Sequence, residues 1–226
     1  MNLGDRKNVL SWKKKLVKTV GNYLIEKTKI MLYNQNNLNV AKMASVSDIK
    51  LALASVLFTK EKTVATDSFR LLEITTPKNL NVEDFPKVDG ASAMRGFQPF
   101  MVSAKALKEI KIPKKAKLPI MESVAIKHVD NNRVEFLTTN GESADIKNIK
   151  RTNGQFPDYE RIFPTEKPLA EVELNGELLA ELLEVMSKLD VAQRVKIKVY
   201  APNKPVVLEA GNDNQKGRGM VIPMNR

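Results

Sequence analysis

One order of elements recurs along this chain and constrains its fold more than any single motif: a strand, a helix, then three strands. Residues 100–102 read as a strand that runs into Ser103, a helix start. A helix is predicted over 104–110 with Pro113 beyond its end, then strands at 124–128, 133–138 and 144–149. The order returns with a strand at 170–174, Asn175 as N-cap, and a helix over 176–188. That helix turns Leu178, Leu179, Leu182, Leu183, Val185 and Met186 inward, and strands follow at 195–200, 206–210 and 219–223. A looser version occupies the first 95 residues, with strands at 29–33, 55–58, 63–66 and 70–75 and a helical turn or two at 38–43.

A βαβββ unit cannot bury its apolar face alone, so repeats of it must pack together. The expectation is an α+β protein of repeated βαβββ units, with antiparallel sheets on one side and helices on the other. The 226 residues suit two small domains. We divide them into a basic N-terminal helix or arm (1–26), a domain of two βαβββ-like halves (27–165) and a partial second domain (166–226).

Charge narrows the partners. The net charge of +11 favours a polyanion, nucleic acid before membrane. Residues 1–30 hold Arg6, Lys7, Lys13, Lys14, Lys15, Lys18, Lys27 and Lys29 against Asp5 and Glu26, so more than half of the excess lies there. Residues 5–27 read as an amphipathic helix, either packed or a basic arm. Without cysteine, disulfides, thiolate nucleophiles and cysteine–zinc sites are excluded. No run reaches the roughly 18 apolar residues of a membrane span, and the N-terminus lacks a secretory signal. A cytoplasmic, nucleoid-associated protein is expected.

Catalytic chemistry has little support. There is no phosphate-cradling Gly-x-x-x-x-Gly-Lys loop, and the single histidine, His128, sits in an alternating strand where a structural role is expected. The acidic pairs Glu83/Asp84 and Asp158/Glu160 show no clustering that would hold a metal. We expect no enzyme, no cofactor and no metal site.

Three stretches, in order, resemble the bacterial β sliding clamp family, the β subunit of DNA polymerase III. They are Ala54–Phe58 followed by Val64-Ala-Thr-Asp-Ser-Phe-Arg-Leu71, then Gly154-Gln-Phe-Pro-Asp-Tyr-Glu-Arg-Ile-Phe-Pro164, and the C-terminal Met220-Val-Ile-Pro-Met-Asn-Arg226. The likeness covers residues 27–226. It departs from the family at Ala52, at Ser68-Phe69 where Gly-His is usual, and at Asn225. The chain is also basic overall and holds about three units where the family has six.

The resemblance implies a DNA clamp fold, with antiparallel sheets outside and helices lining a central hole. It also implies a polymerase processivity factor that encircles double-stranded DNA without reading sequence and takes partner peptides in one hydrophobic pocket. Carried over by motif, that pocket would use Leu53, Thr66, Ser68, Phe69, Arg70 and Leu71, then Pro157, Arg161 and Ile162, and finally Met220, Val221, Pro223 and Met224. Methionine and leucine make an adaptable apolar surface for varied peptides. DNA would be met by Lys105, Lys108, Lys111, Lys114, Lys115 and Lys117, with Lys13, Lys14, Lys15 and Lys18 adding to them. Glu177, Glu181 and Glu184 give helix 176–188 the wrong charge for that task.

The implied partners are the replicative polymerase, the clamp loader and further copies of the chain in a homo-oligomeric ring. Family rings contain twelve units, so three per chain imply four chains, and a hidden unit within 1–50 would imply three. Two other readings stay open: a basic DNA-binding module that does not encircle, and a truncated clamp paralogue that only binds partner peptides.

Overall fold

The computed structural model describes residues 31–47, 49–88, 97–114 and 116–224. The expected N-terminal helix and its lysines lie outside these residues. The chain divides into two compact units, Met1–Asp158 and Tyr159–Arg226.

The larger unit holds two repeats. The first runs β1 (Met31–Asn34), α1 (Gln35–Asn39) continuing into a 3-10 turn (Val40–Met43), β2 (Ser55–Phe58), β3 (Lys62–Thr66) and β4 (Leu71–Thr75). The second runs β5 (Phe100–Ser103), α2 (Ala104–Leu107), β6 (Ser123–His128), β7 (Arg133–Thr139) and β8 (Ala144–Lys150). Both sheets are antiparallel, ordered β1-β6-β7-β8 and β4-β3-β2-β5. Each repeat therefore gives its first strand to the sheet of the other.

Strand alternation sorts the side chains of these sheets. From β6, Val124 and Ile126 enter the main core, while Ala125 joins Leu32, Leu137 and Phe85 on the opposite face. The main core draws on both repeats: Tyr33, Leu38, Val40 and Phe58 from one, Phe100, Val102, Leu107 and Phe136 from the other. Phe58 lies at its centre, stacked on Phe100 and edge-on to Tyr33 and Phe136.

The polar side chain buried between α1 and the strands β3 and β4 is satisfied. The buried Asn37 amide donates to Thr63 Oγ1 and to the carbonyls of Ile74 and Thr75. Its Oδ1 accepts from the Asn34 N–H, and the Asn34 side chain accepts from Asn37 N–H, a reciprocal cap that starts α1.

Helix α2 is shorter than the predicted 104–110. After Leu107 the Glu109 and Ile110 N–H groups bond back three residues, to Ala106 and Leu107, so the chain tightens out of the α form well before Pro113. Ser103 holds the N-cap position but makes no side-chain cap bond.

The smaller unit holds one repeat: α3 (Gly176–Ser187), β9 (Lys196–Lys198), β10 (Val206–Gly211) and β11 (Lys216–Val221), with sheet order β11-β10-β9. Asn175 caps α3 as expected, accepting from the Glu177 and Leu178 N–H groups. Residues 170–174 form no strand, and β9 is shorter than the predicted 195–200. Met186, Val206, Leu208 and Val221 make the core. Gly219 lets α3 lie close on β11, because a Cβ there would stand 2.8 Å from Leu182 Cδ1.

Candidate peptide-binding and DNA-facing surfaces

In the larger unit, Thr66, Ser68, Phe69, Arg70 and Leu71 form the β3–β4 hairpin end, with Thr66 paired to Leu71. Asp67 organises the turn. Its Oδ1 accepts from the Phe69 and Arg70 N–H groups, both at 3.0 Å, and its Oδ2 accepts from Arg70 Nε at 2.9 Å. Those two backbone donors, followed by the Arg70 guanidinium, hold the Asp67 carboxyl below the usual carboxylate range. Thr66 Oγ1 donates to the Arg70 carbonyl and accepts from the Ser68 N–H, and Ser68 takes a positive φ of 79°. The result is a rigid turn that holds Phe69 98% exposed, next to the half-buried Leu71.

Leu53 is half-buried in the separate turn that leads into β2. Its N–H donates to the Lys50 carbonyl and its own carbonyl accepts from Ser45. Pro157 is exposed at the end of this unit.

In the smaller unit, Arg161 and Ile162 are exposed on a 3-10 turn (Glu160–Ile162) anchored by the buried Tyr159. Period-two alternation divides the C-terminal run. Met220, Ile222 and Met224 are exposed at 60%, 68% and 57%, while Val221 is 5% exposed in the core and Pro223 is buried. Val221 and Pro223 thus support the surface from beneath, and Ile222, absent from the motif-based set, belongs to the outward row.

Of the predicted DNA-facing lysines, Lys105, Lys108, Lys111, Lys114 and Lys117 are exposed, and Lys117 pairs with Glu142 at 2.9 Å. Lys115, Lys13, Lys14, Lys15 and Lys18 lie outside the described residues. Lys42 was missed by motif matching. It is exposed on the Val40–Met43 turn, which contacts α2, so it shares the helical side of the unit with Lys105. On α3, Glu177, Glu181 and Glu184 are exposed, and Lys188 bonds Glu184 at 3.0 Å, so the helix keeps its acidic character.

His128 is 2% exposed, with the Phe97 and Phe100 rings edge-on to it and the Arg151 guanidinium against Nδ1. Burial, helped by the Arg151 charge, pushes its pKa down to about 4, and Nε2 has no hydrogen-bond partner. Closed from solvent in this way, it is a packing residue. Among the described residues no three acidic or histidine side chains cluster to hold a metal, and no helix is long and apolar enough to cross a membrane.

No protein-family model matches the sequence, and no curated protein matches it significantly. Solved structures do. The DNA polymerase III beta chain of Streptococcus pneumoniae superposes with a TM-score of 0.57 at 19% identity, covering 87% of this chain and 50% of that one. The subunit from Pseudomonas aeruginosa gives 0.58 at 16% identity, covering 89% and 52%. A beta subunit from Eubacterium rectale gives 0.58 at 15%, covering 88% and 51%. The chain spans about half the length of these structures. Its exchanged-strand βαβββ architecture is therefore the fold of the bacterial β sliding clamps.

Proposed function

We propose that the protein is a sliding clamp, a processivity factor that encircles duplex DNA, tethers a replicative polymerase and catalyses no reaction. The observation that supports this reading most is the domain of two strand-exchanged βαβββ repeats. It carries exposed lysines on its helical turns and, at one hairpin end, an exposed Phe69 beside the half-buried Leu71. A ring that slides must attract phosphate without reading base edges, since base contacts would pin it. Lys42, Lys105 and Lys108 meet that need, as flexible cations whose contacts exchange through water.

By the motif resemblance, peptide contacts are assigned in the larger unit to Phe69 and Leu71 with Arg70 at the rim, and in the smaller unit to Ile162, Met220, Ile222 and Met224. Polymerase and clamp loader would dock there through short hydrophobic segments. With three repeats among the described residues, a ring of twelve repeats, as the family resemblance implies, would take four copies, and a further repeat within residues 1–50 would make it three. The test is topological. Protein loaded on closed circular DNA should stay bound and be released when that DNA is cut once. Equal retention on circular and linear DNA would overturn encirclement and leave a groove-binding module.

A further inference from the structure

Among the described residues, the third repeat differs from the other two in having no exchanged strand in its sheet. The registers define the equivalence. Val134 pairs with Ile149 in the second repeat as Val206 pairs with Val221 in the third. The Thr152 N–H donates to the Met101 carbonyl at 2.8 Å, and the Met224 N–H donates to the Glu173 carbonyl at 2.9 Å. Met101 and Glu173 each stand three residues before their helix. Residues 170–174 thus hold the place of β5 and already make its contact with their own repeat's last strand. What they lack is the other contact, the one β5 makes with β2.

The acceptor side is equally open. In the larger unit the sheets have four strands because a donor covers the outer edge of β6 and of β2; the third sheet ends at β9. His128 pairs with Val134, and β9 pairs Lys198 with Val207, so Val199 falls opposite Val206 and corresponds to His128, and Ile197 to Ile126. Ile126, paired with Met31 of its donor strand, is 0% exposed, and His128, packed against Phe97, Phe100 and Arg151, is 2% exposed, whereas Ile197 and Val199 are 53% and 47% exposed. On α3, Leu178 and Val185, two turns apart, are 55% and 64% exposed. The corresponding layer of the larger unit joins α2 to the Val40–Met43 turn of the opposite repeat.

We propose that a second copy of this chain completes the smaller unit by reciprocal strand exchange: residues 170–174 of each copy add, antiparallel, to β9 of the other. In both complete sheets the helix N-cap residue pairs with the first residue of the acceptor strand, Asn34 with Ser123 and Ser103 with Ser55. Ile197 corresponds to Ile126, so Ser123 corresponds to Arg194, two residues before β9; carried over from β6, the register sets Asn175 opposite Arg194, Leu174 opposite Val195, Glu173 opposite Lys196, Val172 opposite Ile197 and, one step on, Glu171 opposite Lys198.

Apolar meets apolar on one face and glutamate meets lysine on the other, the pairings that stabilise neighbouring strands. The receiving face is cationic. Glu209 is held below the usual carboxylate range by the hydrogen bond from Lys198, with the charges of Lys198, Lys196 and Arg218 adding to it, so one carboxylate faces three cations. The incoming Glu171 and Glu173 bring the opposite charge to that face. The occupant must offer an acidic donor strand and a basic acceptor edge together, and this repeat carries both, which makes the contact self-complementary and two-fold. Exchange also covers an open sheet edge that would otherwise recruit other strands. The interface rests on the fold and the register and not on the clamp function.

Sedimentation equilibrium of the 226-residue protein tests it. The wild type should run at twice the chain mass or an even multiple. A Lys196→Glu/Lys198→Glu variant and a Glu171→Lys/Glu173→Lys variant should each fall to half the wild-type mass. Their equimolar mixture should recover it, because both exchanges then pair opposite charges, and this recovery also shows that each variant is folded. Wild type at the chain mass, variants that keep the wild-type mass, or a mixture that does not reassociate would each overturn the proposal. The chain has no cysteine, so Val172→Cys and Ile197→Cys give a clean second arm. Mixed single variants should oxidise to a covalent dimer. A disulfide closed within one doubly substituted chain would place the donor in its own sheet and overturn the exchange. Dimers that slip from circular DNA would sink the clamp function and leave this interface standing.

Discussion

Phe58 of β2 and Phe100 of β5 stack with ring centroids 5.1 Å apart and planes only 4° from parallel, joining the two repeats at the pair where the exchanged strand meets its acceptor. Phe58 belongs to the first repeat and Phe100 to the second, so neither repeat completes this core without the other's strand.

Phe100→Ala should cost about 3–5 kcal/mol of unfolding free energy, because it leaves a cavity among Phe58, Phe97 and His128. Both sheets should unfold together in urea. Separate transitions for the two halves of the larger unit would argue against one shared core.

Met220→Ala with Met224→Ala should weaken a short hydrophobic peptide from the polymerase or clamp loader by about 1–3 kcal/mol per anchor. Both side chains are more than half exposed, so the unfolding midpoint should hardly move. Val221→Ala should do the reverse, lowering stability because Val221 packs in the core. Calorimetry of peptide binding, read beside urea melts, separates the two.

Lys42→Glu, Lys105→Glu and Lys108→Glu together should shorten residence on closed circular DNA and leave peptide affinity unchanged. Each lysine–phosphate pairing removed should flatten the slope of log affinity against log salt by about 0.9. An unchanged salt slope would remove these lysines from the DNA-facing surface.

His128 makes stability depend on pH in a defined window. Its folded pKa is about 4, against 6.5 for an ordinary histidine. Between those values the unfolded chain binds more protons, so stability falls as pH drops from 6.5 towards 4 and levels off below. The full loss should be on the order of 3 kcal/mol. Asp67, Asp130 and Asp190 all titrate below 3.8, outside this window. Urea midpoints at pH 7 and pH 4.5 should converge for His128→Phe; an equal drop in that variant would assign the effect elsewhere.

The strand–helix–strand order of the second repeat, the Asn175 cap and the β6–β7 hairpin were legible in the sequence, because each follows from local periodicity, capping chemistry and turn residues, whereas β11 begins at Lys216, three residues before the predicted strand. The Thr66–Leu71 turn was legible as a motif, since its geometry is set by Asp67 within the same six residues. Tertiary structure alone decided the strand exchange. Met31 pairs with Ile126 and Phe58 with Phe100, and nothing in the alternation of one strand names a partner so far along the chain. It also decided which side of the C-terminal run is a surface. Period two separates Met220, Ile222 and Met224 from Val221 and Pro223, but all five are apolar or proline, and only packing against α3 and β10 shows which set is buried. Lys42 joined the lysines near α2 for the same reason: packing between the two repeats placed it there.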